Sequence, residues 1–270
     1  EDSIKRGFLH NPQEVKAEIV NKGKSYKASI RLKGDLGDHW LSQSRLSFRV
    51  KLKGGKTILG MNSFSIHKPR ARQHPYDQTF QSLYRDNGNL SVNYNYALVT
   101  VNNEQWGVMH LEEHFSKQFL EKFRQKESLI FRFSDDLFWK NYKKSVDKPY
   151  EYYLLSNSSY SSSIYNSNKY LEDNYYRRVY SYILEERLKI DHSHIYDLPS
   201  HMQLFFMSLA WNNFHTLSDH NTKYYFNPYT LKLNPISSDQ GIFSKYDVDF
   251  IEQMKSYKFP LNFKQVFSKF

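Results

Sequence analysis

The chain has 270 residues, no cysteine and a formal net charge of +10. This length is enough to bury a core, as one large domain or two lobes, and the absence of cysteine excludes disulfide bonds, thiolate zinc sites and cysteine catalysis. The positive charge favours polyanionic partners such as nucleotides, nucleic acid, anionic lipid or acidic proteins, and no run approaches the ~18 apolar residues that a membrane span requires.

The first half of the chain predicts a β-rich structure. Four segments alternate polar and apolar residues with the period of two that half-buried strands show; these are residues 15–20, 26–34, 45–52 and 63–68. A helix is predicted over residues 76–88, which end on the Asn-Gly stop signal. Two more strands follow and meet at Asn102-Asn103, a dipeptide that accepts positive φ and suits a tight hairpin.

Beyond the second predicted hairpin, the sequence predicts mainly helices. Its predicted helices cover residues 115–126, 170–189 and 198–217, a short strand covers 128–133, and a hairpin turns at Pro228-Tyr229-Thr230. Residues 134–169 are rich in Ser, Asn and Tyr and predict a long mobile connection. The sequence therefore predicts an α+β fold with a β-rich lobe over 1–133, a connection over 134–169 and a helical lobe over 170–270.

The two ends of the chain indicate a piece of a longer protein. The sequence begins at Glu1 rather than Met, and it stops at Phe270 inside an amphipathic segment. The sequence leaves open whether residues beyond Phe270 complete the helical lobe.

Two acids lie at the ends of the predicted hairpin. Asp219 precedes it, and Asp239 follows it beside Gly241. Singly, each acid is typical of a loop cap or a turn. Together they follow the order in which kinase-like phosphotransfer sites present their base and their metal ligand. One carboxylate would meet the attacking group while the other holds Mg²⁺ against the phosphates.

Phosphoryl transfer also requires positive charge beside the nucleotide. Alternation in residues 45–52 places Arg49 and Lys51 on one face of a strand, where the ordinary interpretation is a solvated edge. A second basic segment, residues 66–77, contains Lys68, Arg70, Arg72 and two His residues and is either a phosphate or acidic-substrate patch or a solvated loop.

Two adjacent glutamates end the second hairpin strand. Alternation places Glu113 on the face of Leu111 and Met109, where a charge requires a partner. Glu112 is then predicted to face the solvent.

Four segments, in order, carry a family resemblance: "IRLKGDLGDHW", "RLSFRVKL", "VTVNNEQWGVMHLEEHFSKQFL" and "SDHNTKYYFNPYTLKLNPISSDQGIF". From residue 30 to residue 243 the chain resembles the spore coat protein H (CotH) family of atypical protein kinases. The resemblance implies a two-lobed kinase-like fold that binds ATP and Mg²⁺ or Mn²⁺ and phosphorylates a protein hydroxyl. It also implies a coat or surface protein as substrate, and a spore coat, cell surface or secreted location.

The resemblance implies roles for residues of the β-rich lobe. Glu113 matches the glutamate of the family's β-lobe ion pair, and Arg49 or Lys51 matches the cation that contacts the nucleotide. Arg31 and Lys33 lie near the turn "KGDLGD", which is expected to cover the phosphates.

In the hairpin region, the resemblance makes Asp219 the catalytic aspartate and Asp239 a metal ligand, with either Asn221 or His220 as the second ligand. The chain departs from the family pattern at Lys223, where the family has Asn, and at Ser237, where it has an acid. These departures keep open a catalytically inactive surface or coat interaction module. Nucleic-acid binding by the basic, Tyr-rich surface is a third hypothesis, disfavoured because acids at the hairpin repel phosphate unless a metal intervenes.

Overall fold

The computed structural model describes residues 9, 12–34, 37–41, 45–133, 162–165, 167–189, 191–217 and 221–241. These residues form a mixed α+β fold with ten strands and five α-helices. The chain divides into two compact units. The first consists of Glu1–Thr79 and Val92–Phe123, and the second of Phe80–Ser91 and Arg124–Phe270. None of the described helices is long and apolar enough to cross a membrane.

The first unit contains a six-stranded antiparallel sheet. Its strands are β1 (Val15–Asn21), β2 (Lys24–Leu32), β3 (Phe48–Leu52), β4 (Ser63–His67), β5 (Tyr94–Val101) and β6 (Glu104–Glu113), in the spatial order β1-β2-β3-β4-β6-β5. Every pairing in the sheet is antiparallel. The predicted hairpin is confirmed, because Asn102 and Asn103 have φ of 49° and 68°. This positive φ matches the twist of the two flanking strands.

Strand alternation gives this sheet one apolar and one polar face. The apolar face carries the core of the unit, whose buried residues are Ala28, Val50, Leu52, Ile58, Met61, Phe64 and Leu111. A 3₁₀ turn (Pro69–Arg72) follows β4 and leads to α1 (Tyr76–Asp86), which begins in the first unit and continues in the second. Helix α2 (Lys117–Lys122) follows β6 and is shorter than the helix predicted over 115–126.

The second unit contains a four-stranded antiparallel sheet and three helices. The strands are β7 (Ile130–Phe133), β8 (Ser162–Ile164), β9 (Lys223–Asn227) and β10 (Lys232–Ile236), in the order β10-β9-β7-β8, and the helices are α3 (Ser167–Glu172), α4 (Asn174–Arg187) and α5 (Leu198–Ala210). The core is mainly aromatic and includes the fully buried Phe80, Tyr84, Phe131, Phe133, Phe214 and Tyr224. The Arg187 guanidinium stacks 3.5 Å from the Phe133 ring centroid.

Several predicted boundaries in the second half differ from the structure. Of the predicted connection 134–169, residues 134–161 and 166 lie outside the described residues, but Ser162–Ile164 form β8, because their backbone pairs with β7 despite the polar composition. The helix predicted over 170–189 is interrupted at Asp173, whose carboxylate accepts the Tyr175 N–H and starts α4. The helix predicted over 198–217 ends at Ala210, and Asn212 then adopts a φ of 49°.

Candidate functional site

The polar face of the first sheet brings together residues that are distant in sequence. Strand register aligns Arg31, Arg49, Ser65 and Glu112 on β2, β3, β4 and β6. Because directly opposed residues of antiparallel strands share a face, these four side chains form one row. Lys33 lies just beyond the end of β2, two residues after Arg31, and therefore emerges on the same face.

Glu112 is the centre of this polar face. Its Oε1 lies 2.5 Å from Lys33 Nζ, and its Oε2 lies 2.6 Å from Arg72 Nε. The three side chains are only 11–13% exposed. The prediction that Glu112 faces the solvent is therefore wrong: the 3₁₀ turn Pro69–Arg72 places Arg72 against Glu112 and covers its carboxylate.

The charges in this network shift one another's pKa values. Burial raises the pKa of Glu112, but Arg72, Lys33 and His67 outweigh it and hold that pKa well below its usual range. Burial lowers the pKa of Lys33 to about 7, against the attraction of Glu112, and the nearby Arg72 and Arg49 lower it further. An anion placed beside Lys33 would favour its charged form, so this lysine suits a negatively charged ligand.

His67 adds a neutral imidazole to the same site. The ring is fully buried and its Nε2 lies 3.7 Å from Glu112 Oε2. Burial and the charge of Lys33 lower the pKa of His67 well below its usual value. Within the described part of the chain neither ring nitrogen has a hydrogen-bond partner. His67 is therefore a neutral group with hydrogen-bonding capacity beside the Lys33–Glu112 pair.

Gly34 fixes the backbone immediately after Lys33. It has a φ of +96°, and a Cβ at this position would lie 2.2 Å from the His39 ring. His39 is held in turn by a 2.9 Å hydrogen bond between its Nδ1 and Ser47 Oγ. Only glycine fits both the backbone conformation and the close approach. The next two residues of the turn, 35 and 36, lie outside the described residues.

The other cations predicted near the nucleotide, Arg31, Arg49 and Lys51, lie on the same polar face of the sheet as Lys33. Arg49 is half-buried on β3 and is close enough to lower the pKa of Lys33. Arg31 and Lys51 are exposed, and Lys51 lies opposite Ser29 on β2 and Ser63 on β4. Among the described residues, positive charge on this face therefore surrounds the buried Glu112, an arrangement suited to binding phosphate.

Glu113 lies on the opposite, apolar face. Its register partner on β4 is Phe64, its side chain is 1% exposed, and its Oε1 lies 2.6 Å from Lys122 Nζ. The prediction that this charge requires a partner is confirmed. The register does not bring Glu113 to the face of Arg49 and Lys51, however, so Glu112 is the strand-end carboxylate that adjoins the polar-face cations.

The residues predicted around the hairpin belong to the second unit. Asp219 and its neighbours 218 and 220 lie outside the described residues. The Asn221 amide nitrogen donates to His215 Nε2 at 2.9 Å and to the His215 carbonyl at 3.1 Å. A carbonyl only accepts hydrogen bonds, so the Asn221 amide must present its nitrogen to the His215 carbonyl. Asn221 Oδ1 then points away from that carbonyl and is the atom suited to bind a cation.

Asp239 lies in a segment that is fixed on both sides. It has a φ of +57°. Before it, the Ser238 N–H donates to Thr216 Oγ1 at 3.3 Å. After it, Gln240 Oε1 accepts the Thr216 N–H at 3.0 Å, and Gln240 Nε2 donates to the Asn213 carbonyl at 2.5 Å. The backbone around Asp239 is therefore held in one conformation.

The two positions that depart from the family pattern are buried beside Asp239. Lys223 Nζ donates to Ser238 Oγ at 3.0 Å, and Ser237 Oγ lies 3.2 Å from Thr216 Oγ1. Among the described side chains, no group of three or more His, Asp or Glu residues is arranged to hold a metal ion. Asp239 and Asn221 both carry side-chain oxygen atoms, the ligand type that Mg²⁺ binds together with substrate phosphates.

No protein-family model matches this sequence, and no curated protein matches it either. The resemblance to the CotH family therefore remains a prediction. The sequence interpretation missed Glu112 as a site residue and treated Arg72 as one of several basic residues in a loop. Alternation in β6 correctly placed Glu112 on the polar face. The sequence pattern could not show that β4 lies beside β6 or that the turn Pro69–Arg72 covers Glu112, because both depend on tertiary structure.

Proposed function

We propose that this chain is an ATP- and metal-dependent phosphotransferase of the CotH kinase type, with a two-lobed kinase-like fold, that acts on a protein hydroxyl. The observation that carries the proposal is the Lys33–Glu112–Arg72 network on a strongly basic sheet face. Kinase-like sites use a lysine held by a glutamate to neutralise the α and β phosphates. Lys33 and Glu112 supply that pair of groups.

The proposal assigns a role to each residue. Lys33 and Arg49 bind the nucleotide phosphates, and Glu112, itself held by Arg72, orients Lys33. Asp219 orients the acceptor hydroxyl, while Asp239 and Asn221 hold Mg²⁺ or Mn²⁺. ATP supplies the phosphoryl group, and the bound metal neutralises charge on its phosphate oxygens. Lys33 and Glu112 thus take the roles that the resemblance gave to Arg49 or Lys51 and Glu113.

Phosphate incorporation tests the proposal. The purified chain is incubated with labelled ATP, Mg²⁺ or Mn²⁺, and either itself or a basic, Ser-rich protein as acceptor. We expect incorporation by the unchanged chain, and a loss of about a hundredfold or more in Lys33→Met and Asp239→Asn, because each removes charge stabilisation of the transferred phosphate. Absence of incorporation with both metals and all acceptors would refute the enzymatic proposal.

The second candidate function is a catalytically inactive interaction module. The buried Lys223 favours it, because its ammonium lies beside the segment proposed to bind metal. An inactive module would show no thermal stabilisation by ATP with metal. It would also show no change in that response when Asp239 is replaced by alanine. Stabilisation that depends on Asp239 would reject this candidate.

A further inference from the structure

An apolar cavity of about 210 Å³ lies in the second unit. Helix α4, the 3₁₀ turn Ser193–Ile195 and the β9–β10 hairpin form its walls. Its lining side chains are all aliphatic or aromatic: Tyr175, Val179, Tyr182, Ile183, Ile195, Phe226, Leu231 and Leu233. Concave and mostly apolar cavities are the usual binding sites for small molecules. None of these eight side chains has a role in the proposed phosphoryl transfer.

Backbone contacts fix the walls of this cavity. Phe226 and Leu233 are register partners in the antiparallel pair of β9 and β10. The chain after the 3₁₀ turn is tied to β10, because Tyr196 forms a β-bridge with Leu233 and the Asp197 N–H donates to the Leu233 carbonyl at 2.9 Å. The cavity is therefore formed by the fold itself, as binding sites for small molecules commonly are.

The cavity has a buried floor and an exposed mouth. Ile183 and Leu233 are 2% and 0% exposed, whereas Tyr182 and Leu231 are 49% and 61% exposed. Leu231 also has a φ of 55°, a conformation that is unfavourable for leucine. Backbone strain of this kind is found preferentially at functional sites. An exposed, strained leucine at the edge of an apolar cavity therefore favours a role in binding.

We propose that this cavity binds a small apolar molecule, or an apolar group of a larger one, built on a single aromatic ring. An apolar protein cavity of about 150 Å³ is large enough to bind benzene, so the larger volume here accommodates a ring with a small substituent. Tyr175, Tyr182 and Phe226 offer ring faces and edges for stacked or edge-to-face contacts. Polar substituents of the ligand would remain at the mouth, because the floor is apolar.

Ligand-observed ¹⁹F NMR of fluorobenzene mixed with the full chain tests the inference. We expect a saturable broadening of the fluorobenzene signal. Toluene should displace fluorobenzene at a lower concentration than methylcyclohexane does, because the two competitors have the same number of carbons but only toluene has an aromatic ring.

Two variants alter the cavity in different ways. Val179→Phe places a larger side chain on a half-buried wall position and should weaken fluorobenzene binding by about tenfold or more, because it occupies the ligand's space. Its matched control is Val108→Phe at an exposed position of β6 in the first unit, which should bind as the unchanged chain does. Leu231→Asn suits the positive φ but removes an apolar wall, and should weaken binding by about fivefold.

The outcomes decide the inference independently of the phosphate incorporation experiment. Absent or non-saturable broadening with the unchanged chain would overturn it. So would equal affinity of Val179→Phe and Val108→Phe, both shown to be folded by circular dichroism, or unchanged affinity in Leu231→Asn. Equal displacement by toluene and methylcyclohexane would overturn the assignment of an aromatic ligand. Weaker binding confined to the two cavity variants would support the inference.

Discussion

Lys33 and Glu112 form a buried ion pair across the polar face of the first sheet, with 2.5 Å between Nζ and Oε1. Lys33 follows β2 and Glu112 lies on β6, so β3 and β4 separate their backbones. The next residue, Glu113, faces the other way and pairs with Lys122. Glu112 and Glu113 thus each pair with a lysine, on opposite faces of the sheet. The Glu113–Lys122 pair on the apolar face can therefore serve as a control for substitutions in the Lys33–Glu112 pair.

Glu112→Gln should destabilise the chain by roughly 3 kcal/mol, because it leaves the buried Lys33 and Arg72 without their carboxylate. Urea unfolding at pH 7 measures this free energy. Glu121→Gln is the control: Glu121 is 56% exposed and pairs with Lys117 across one helical turn, so its loss should cost about 0.5 kcal/mol or less. Equal effects of the two substitutions would show that the buried network contributes little to stability.

Gly34→Ala should be more destabilising than Gly23→Ala. Both glycines have positive φ, but a Cβ on Gly23 meets open space whereas one on Gly34 would overlap the His39 ring. We expect a cost of about 1 kcal/mol at Gly23 from backbone strain alone and roughly 2 kcal/mol more at Gly34 from overpacking. The difference between the two unfolding free energies measures the close contact. Indistinguishable values would show that His39 moves aside freely.

The sequence predicted most of the first sheet because its signals are local. Alternation placed β1, β3 and β4 within a few residues of their observed bounds, and Asn102-Asn103 identified the β5–β6 turn. It did not predict that β4 pairs with β6, which places Glu112 beside Ser65. Nor did it predict that Arg72 would cover Glu112. Which strands pair, and which loops cover a sheet face, depend on tertiary contacts. The alternation of polar and apolar residues along one strand carries no information about them.

In the second half of the chain, local sequence patterns predicted the helices and strands less well than in the first half. The composition of residues 134–169 predicted no regular structure, yet Ser162–Ile164 pair with β7. The break at Asp173 was also missed, although an Asp followed by a helical pattern is a recognised start signal. The hairpin was predicted well because Asn227-Pro228 ends one apolar strand and a second strand follows directly.

Asn103→Gly should preserve or raise stability by up to about 1 kcal/mol, while Asn103→Val should lower it by roughly 1 to 2 kcal/mol. Both central residues of this turn have positive φ, which glycine adopts freely and a β-branched residue resists. Thermal unfolding of the two variants measures the effect. A stabilising valine would contradict the turn geometry.

Stability should fall as pH drops from 6.5 towards 4, partly because of His201. Burial lowers the pKa of this histidine to about 4, against a hydrogen bond with the Asp197 carbonyl. In the unfolded chain His201 takes up its proton near pH 6.5, so between the two values the unfolded state binds more protons and is favoured on acidification. Below about pH 4, His201 is protonated in both the folded and the unfolded chain, so it causes no further change in the free energy of unfolding.

The pH dependence of urea unfolding for His201→Gln measures this contribution. We expect the variant to lose roughly 2 to 3 kcal/mol less than the unchanged chain between pH 7 and pH 4. The variant is expected to be less stable at pH 7, because His201 packs between Tyr196 and Tyr224. Parallel pH profiles would show that His201 is not buried in its neutral form.

The most direct test of the proposed phosphate site is calorimetric titration of ATP with Mg²⁺ into Lys33→Met and Lys122→Met. Both substitutions remove a lysine that pairs with a glutamate of β6, but only Lys33 lies on the basic polar face. We predict that Lys33→Met weakens ATP binding by about tenfold or more, while folded Lys122→Met binds as the unchanged chain does. Equal ATP affinity in the two variants, or no ATP binding by the unchanged chain, would contradict the account.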